Sequence, residues 1–166
     1  MAAKKKGKKD KSAEPGGVKT IASNRKARFL YEILDEMEAG IALTGAEVKS
    51  LRAGNASMGD AYCQIERGEI FMHHCHIGPY EQARDNLKPT RKRKLLMHAR
   101  EIRKLHDQVK SKGITIVPLS IYFNERGRCK VEIAVCRGKK LHDKRDSIKE
   151  RDSKRDLDRM RKKARR

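Results

Sequence analysis

The chain changes character at Gly138. From there to Arg166, 29 residues hold 14 Lys or Arg and 6 Asp or Glu, and the only sizeable apolar residues are Leu141, Ile148, Leu157 and Met160. Such a segment cannot bury enough apolar surface to offset the conformational entropy lost on ordering, so residues 138–166 are expected to be a tail disordered when free. Residues 1–24 are expected to form a second disordered region, a basic arm. They carry seven Lys, two acids and the breaker run Glu14-Pro15-Gly16-Gly17. One modest hydrophobic core must then be built from residues 25–137.

Within that core the patterning favours strands. Phe29, Tyr31 and Ile33, then Met37, Ala39, Ile41 and Leu43, lie at alternating positions. They read as one long strand or as two with a bend at Asp35-Glu36. Thr44-Gly45-Ala46-Glu47 is a capping-box sequence, which predicts a short helix with Val48 and Leu51 inward and Gly54 just past its end. Residues 61–66 and 69–77 predict two strands joined by the turn Arg67-Gly68. Residues 80–94 predict an exposed loop, followed by a helix over Leu95/Leu96, Ala99, Ile102, Leu105 and Val109 that stops at Gly113. Residues 114–123 are nearly all apolar, as in a strand buried on both faces, with Pro118 implying a bulge. Cys129, Val131, Ile133 and Val135 alternate as in a half-buried strand. About six strands and two to three helices suggest a mainly β fold with flanking helices: an antiparallel barrel like the oligonucleotide-binding (OB) fold.

Charge narrows the partners. Lys plus Arg number 42 and Asp plus Glu 22, a net of +20. That field attracts phosphate backbones or anionic lipid. Lipid is the weaker choice, because no amphipathic helix carries Trp or Phe on its apolar face. No apolar run approaches the roughly 20 residues of a membrane span. The basic N-terminus is followed by no apolar stretch of a secretory signal, so a cytoplasmic location is expected. Cys63, Cys75, Cys129 and Cys136 form no C-x-x-C pair and are expected to be free, buried thiols. The run His73-His74-Cys75-His76 resembles a zinc site, but on a strand its members point alternately to opposite faces, so no metal is expected.

Several separated blocks also carry a family resemblance. They are residues 21–27 (IASNRKA), 38–43 (EAGIAL), 45–54 (GAEVKSLRAG), 89–96 (PTRKRKLL) and 138–145 (GKKLHDKR). In these the chain resembles the bacterial small protein B family, the SsrA-binding proteins. The resemblance implies an OB-like barrel and an adaptor function without a cofactor. Such an adaptor binds the tRNA-like domain of transfer-messenger RNA, together with an elongation factor carrying GTP that it meets through the RNA. It delivers that RNA to the A site of ribosomes stalled on broken messages, and its tail enters the decoding centre and mRNA channel, against small-subunit ribosomal RNA. A monomer is expected.

By the same resemblance Asn24, Glu38 and Leu96 are expected to face the RNA, with Arg25 and Lys26 of the first block beside them. A carboxylate at Glu38 can accept from base or sugar donors, where a lysine only neutralises phosphate. Lys88, Arg91, Lys92, Arg93 and Lys94 read as a phosphate-binding loop. Lys49 and Arg52 would extend that patch from the exposed side of the short helix. In the tail, Gly138, Lys139, Lys140, His142, Asp143, Lys144 and Arg145 match the family's ribosome-binding block. The tail is expected to become helical on ribosome binding, with Leu157, Met160 and Ala164 at helical spacing, and residues 145–166 would then span about 33 Å. Two other functions fit parts of this pattern. One is a structural ribosome-associated RNA-binding protein with no preference for a tRNA-like fold. The other is a metal-dependent nuclease using Asp35, Glu36 and Glu38, although no second acidic motif completes a two-metal site.

Overall fold

The computed structural model describes residues 19–83, 87–139 and 160. Most of the predicted arm and of the predicted tail, including Lys140, His142, Asp143, Lys144 and Arg145, lies outside the described residues. The described part contains nine strands and three helices. In chain order they are β1 (Lys19–Ser23), α1 (Ala27–Leu30), β2 (Tyr31–Ile41), α2 (Gly45–Arg52), β3 (Ala56–Ser57), β4 (Tyr62–Glu66), β5 (Glu69–His73), β6 (His76–Ile77), β7 (Arg93–Leu96), α3 (Ala99–Val109), β8 (Ile114–Phe123) and β9 (Cys129–Gly138).

Every pairing is antiparallel, and the main sheet runs β1-β8-β4-β5-β7-β2-β9. Because β9 also pairs with β8, six strands close into a ring and β1 is added outside it. Closure is by short seams, the single pair Cys63–Ile116 between β4 and β8 and two pairs between β2 and β7, so the barrel is partly open, as in OB folds. The predicted OB-like barrel is thus the architecture formed.

The interior is filled by the inward residues of these strands. Ile70, Met72, Leu95, Ile116, Ile121, Val131 and Ile133 are at most 1% exposed. Each such side chain stabilises the fold by about 1.5–3 kcal/mol. Two helices contribute to the same core, α2 through Leu51 and α3 through Ile102 and Leu105. A second, smaller cluster lies outside the ring, where Ala27 of α1 packs with Val117, Leu119, Ala134 and Cys136. This is why residues 114–123 and the end of β9 are apolar on both faces. β8 slips in register between Pro118 and Ser120, and β2 between Ile33 and Asp35. The β8 slip reverses its inward parity: Ile116 enters the ring and Val117 and Leu119 the outer cluster, then Ile121 and Phe123 point inward again.

The capping box of α2 forms as predicted, with Glu47 Oε2 accepting from Thr44 N at 2.9 Å. Gly54 follows with φ +82°, the left-handed conformation glycine tolerates. The hairpin turn at Arg67-Gly68 is also present. Several expectations fail. Phe29, read as a strand residue with Tyr31 and Ile33, lies in α1, and the strand expected over 69–77 is broken at His74, whose φ of +55° separates β5 from β6. Lys19–Ser23, assigned to the disordered arm, form β1 against β8. The predicted loop over 80–94 ends early, because Arg93 and Lys94 belong to β7. Leu95 and Leu96 are likewise strand residues, and α3 starts only at Ala99, where Glu101 Oε2 accepts from His98 N at 2.9 Å.

Candidate nucleic-acid interface

The cleft where β2 meets β7 and the start of α3 joins two of the predicted site residues. Glu38 and Leu96 line it together with Met37, Gly40, Met97, His98, Glu101 and Lys130. Leu96 pairs with Gly40 across the β2–β7 ladder, and its side chain is directed out of the barrel with the residue 53% exposed. That exposure is unusual for leucine on a strand and follows from the alternation that places Leu95 inside. Gly40 makes room for it. A Cβ there would lie 3.2 Å from Leu96 Cβ.

Glu38 is exposed on the outer face of β2 and engaged on both oxygens. Lys130 Nζ donates to Oε1 at 2.7 Å, and the Tyr122 hydroxyl donates to Oε2. Lys130, and then Tyr122, hold the Glu38 carboxyl below the usual carboxylate range. Burial, and then the Glu38 carboxylate, raise the Tyr122 hydroxyl. An ionised carboxylate fixed by two donors still has free lone pairs facing solvent, where it can accept from nucleobase amino groups or ribose hydroxyls. Sequence patterning misses Lys130 and Tyr122 as members of this site. The available signal was the alternation of β9, which puts Lys130 on its outer face.

Asn24 lies elsewhere. Ser23, Ser120, Glu132 and Glu38 form one row of partners across β1, β8, β9 and β2, and Asn24 follows Ser23 at the far end. Asn24 is 8% exposed. Its side-chain oxygen accepts from Ala27 N at 3.1 Å and its own N donates to Leu119 O at 2.7 Å. It therefore builds the turn into α1, with little of its side chain at the surface. Arg25 and Lys26 beside it are exposed.

The basic segment is reorganised most. Arg93 is fully buried, and its assignment as a phosphate ligand is corrected. Its Nε donates to Glu47 Oε1 at 2.9 Å, Nη1 to Cys75 O at 2.6 Å and Nη2 to Pro89 O at 2.8 Å. Arg91 engages the same carboxylate, through Nε at 2.9 Å and Nη2 at 2.6 Å. Burial alone would raise the Glu47 carboxyl, but Arg91, the Thr44 amide and Arg93 together hold it at about 2. Lys92 pairs with Glu66 at 2.9 Å and stands 4.6 Å from the Phe71 ring centroid; Lys94 pairs with Glu69. Of the five, only Lys88 has no carboxylate partner among the described residues, and it is exposed. Lys49 and Arg52 are exposed on α2, over the rings of Tyr80 and Phe123 at 5.4 and 5.6 Å. Gly138 ends β9, and Lys139 N donates to Leu30 O at 3.1 Å.

The other constellations separate. Asp35 is held by Lys104 at 2.8 Å, Glu36 by Arg28 at 3.3 Å and Glu38 by Lys130, so the three carboxylates have three different cations. Among the described residues no group of three or more His, Cys, Asp or Glu is placed to hold a metal ion. The four cysteines are free, and three of them are buried. No helix of the described residues is long and apolar enough to cross a membrane.

A small barrel, a carboxylate held by Lys130 beside an exposed leucine, and a net charge of +20 define an RNA-binding barrel protein. The model of the SmpB protein family matches residues 21–163. An SsrA-binding protein of Desulforamulus reducens is 51% identical over 150 residues, covering 90% of this chain and 93% of the relative. That of Mesorhizobium japonicum is 52% identical over 151 residues, covering 90% and 94%. A chain of the solved structure "tmRNA-SmpB: a journey to the center of the bacterial ribosome" superposes with a TM-score of 0.62 at 50% identity, covering 76% of this chain and 87% of that one. The chain belongs to the SmpB family.

Proposed function

We propose that this chain is the RNA-binding adaptor of trans-translation. It binds the tRNA-like domain of transfer-messenger RNA and delivers it to the A site of stalled ribosomes for rescue and peptide tagging. Family membership supports this, and the observation that carries the site is the cleft in which Lys130 and Tyr122 fix an ionised Glu38 beside the exposed Leu96. The carboxylate reads hydrogen-bond donors of a folded RNA, and the leucine packs on an unstacked base or sugar. Exposed Arg25, Lys26, Lys49, Arg52 and Lys88, elsewhere on the surface, supply phosphate neutralisation, which adds affinity without sequence information.

The adaptor itself performs no catalytic step in this scheme and acts in the cytoplasm with the ribosome. GTP hydrolysis belongs to the elongation factor that shares the RNA. The segment from Gly138 onward engages the decoding centre and the vacant mRNA channel.

The test is binding to a transfer-messenger RNA tRNA-like domain with ordinary tRNA as competitor across a salt series. Discrimination that survives as salt rises, and drops about tenfold or more in Glu38→Ala, is expected. Equal binding of both RNAs, collapsing together with salt, would leave only a nonspecific polycation.

A further inference from the structure

Helix α3 separates two surfaces of opposite character. Glu101, Lys104 and Gln108 face β2, where Glu101 lines the Glu38–Leu96 cleft and Lys104 and Gln108 hold Asp35. Ala99, Ile102, Arg103, His106 and Asp107 lie on the other face of the helix, at the spacing of one stripe. With Ile65, Arg67 and Gly68 of the β4–β5 hairpin they line a groove of about 640 Å³. A second hollow, which shares Ile65 and His106, continues it toward Lys110. The groove has an apolar floor of Ile65 and Ile102 and a rim carrying Arg67 and Arg103.

Two observations mark Arg67. It has φ +50°, and Gly68 after it has φ +80°, so both central residues of this two-residue turn are left-handed. Such a turn favours Asn, Asp or Gly at its first position, and an arginine there is conformationally strained. Secondly, local acids do not claim it. Glu66 and Glu69, which close the hairpin, are taken by Lys92 and Lys94, and Asp107 by Lys110 at 2.9 Å. Among the described residues neither Arg67 nor Arg103 has an ion-pair partner, and both are exposed.

We infer that this groove is a second phosphate-binding surface, in which Arg67 and Arg103 clamp a ribosomal RNA backbone while the tRNA-like RNA occupies the Glu38–Leu96 cleft. The inference rests on the RNA-adaptor reading. Charge complementarity selects the occupant: guanidinium groups flanking a groove hold phosphate oxygens through paired donors, and bases can lie on the apolar floor. The helix standing between the two surfaces keeps the two RNAs apart.

The variant Arg67→Asn/Arg103→Gln tests this in the full chain. Asparagine suits the left-handed turn, so thermal stability should be equal to or above that of the parent. Binding is measured to purified small ribosomal subunits and, separately, to the tRNA-like domain, over a salt series. Without the two guanidinium–phosphate pairs, affinity for the subunits should fall about 60-fold at 0.1 M salt and the slope of log K against log salt should shrink by about two. Affinity for the tRNA-like domain should stay within about twofold. Unchanged subunit binding, or an equal loss for both RNAs, would overturn the inference. A parent protein that does not distinguish the tRNA-like domain from tRNA, with the subunit effect intact, would instead overturn the adaptor reading and leave this surface standing.

Discussion

Glu47→Gln is the most informative single substitution for the fold. Glu47 is 7% exposed, and its carboxylate lies between Arg91 and the fully buried Arg93. In the folded chain it titrates at about 2, against 4.5 for an unperturbed glutamate. A shift of that size corresponds to about 3 kcal/mol of stability at neutral pH. Because the folded value is the lower one, this stability is fully present above pH 4.5 and is lost as pH falls through that value toward 2. The amide keeps the shape but removes the counter-charge of a guanidinium that water cannot reach. The expected cost at pH 7 is therefore about 3–5 kcal/mol, a large part of a small domain's total. Urea unfolding at pH 7 should show a midpoint lower by about 2 M. The gap between parent and variant should close as the series is repeated from pH 4.5 downward. A gap below about 1 kcal/mol at pH 7, or one that stays constant through the acid range, would refute the reasoning. Adding Arg93→Met to the variant should recover part of the loss, since it removes the orphaned buried charge.

Other expectations follow from the same geometry. Burial pushes the Cys75, Cys129 and Cys136 thiols up to about 11 and raises Cys63 as well, so a disulfide reagent at about pH 8 should label the native protein slowly and all four thiols rapidly in urea. Rapid native labelling of the buried three would contradict the packing. Gly40→Ala places a methyl 3.2 Å from Leu96 Cβ and should displace the end of β7. Calorimetry is expected to show a loss of about 1 kcal/mol, with weaker binding of the tRNA-like domain; a variant normal in both would remove Gly40 from the site. Ending the chain after Lys139, which retains the bond from Lys139 to Leu30, should leave binding of that domain unchanged and abolish tagging of stalled products. Loss of RNA affinity would show that the tail is part of the RNA site.

Most of the barrel was legible because its strands obey simple alternation and its turns use residues with special backbone freedom. The capping box at Thr44–Glu47, the Arg67-Gly68 turn and the bulge after Pro118 all formed where local chemistry required them. β1 was not legible. Lys19–Ser23 has a weak apolar face and adds to β8 at a position that only the tertiary fold creates. The basic segment misled for a different reason. A run of Lys and Arg reads as a solvated surface, yet Arg91 and Arg93 precede Leu95 at the same period of two that carries Arg93 and Leu95 inside. Their partner, Glu47, lies more than forty residues upstream in a capping box that already explained it. Glu38 and Leu96 were named from family resemblance. That they share one cleft became visible only from the register of β2 against β7 and the position of α3.

The way β9 closes the ring has a mechanical consequence. It is bonded along one side to β2 and along the other to β8, through nine paired residues in each case, and the chain leaves it at Gly138. In the proposed scheme the segment after Gly138 is held by the ribosome, and a pull on it would run along this strand. The load then falls on two ladders at once and in parallel, as shear, instead of peeling bonds one by one. Tension applied at Gly138 would thereby be delivered to a strand fastened on both sides along most of its length. The bonds from Lys139 to Leu30 and Arg28 lie just beyond that strand, at the point where the load would enter.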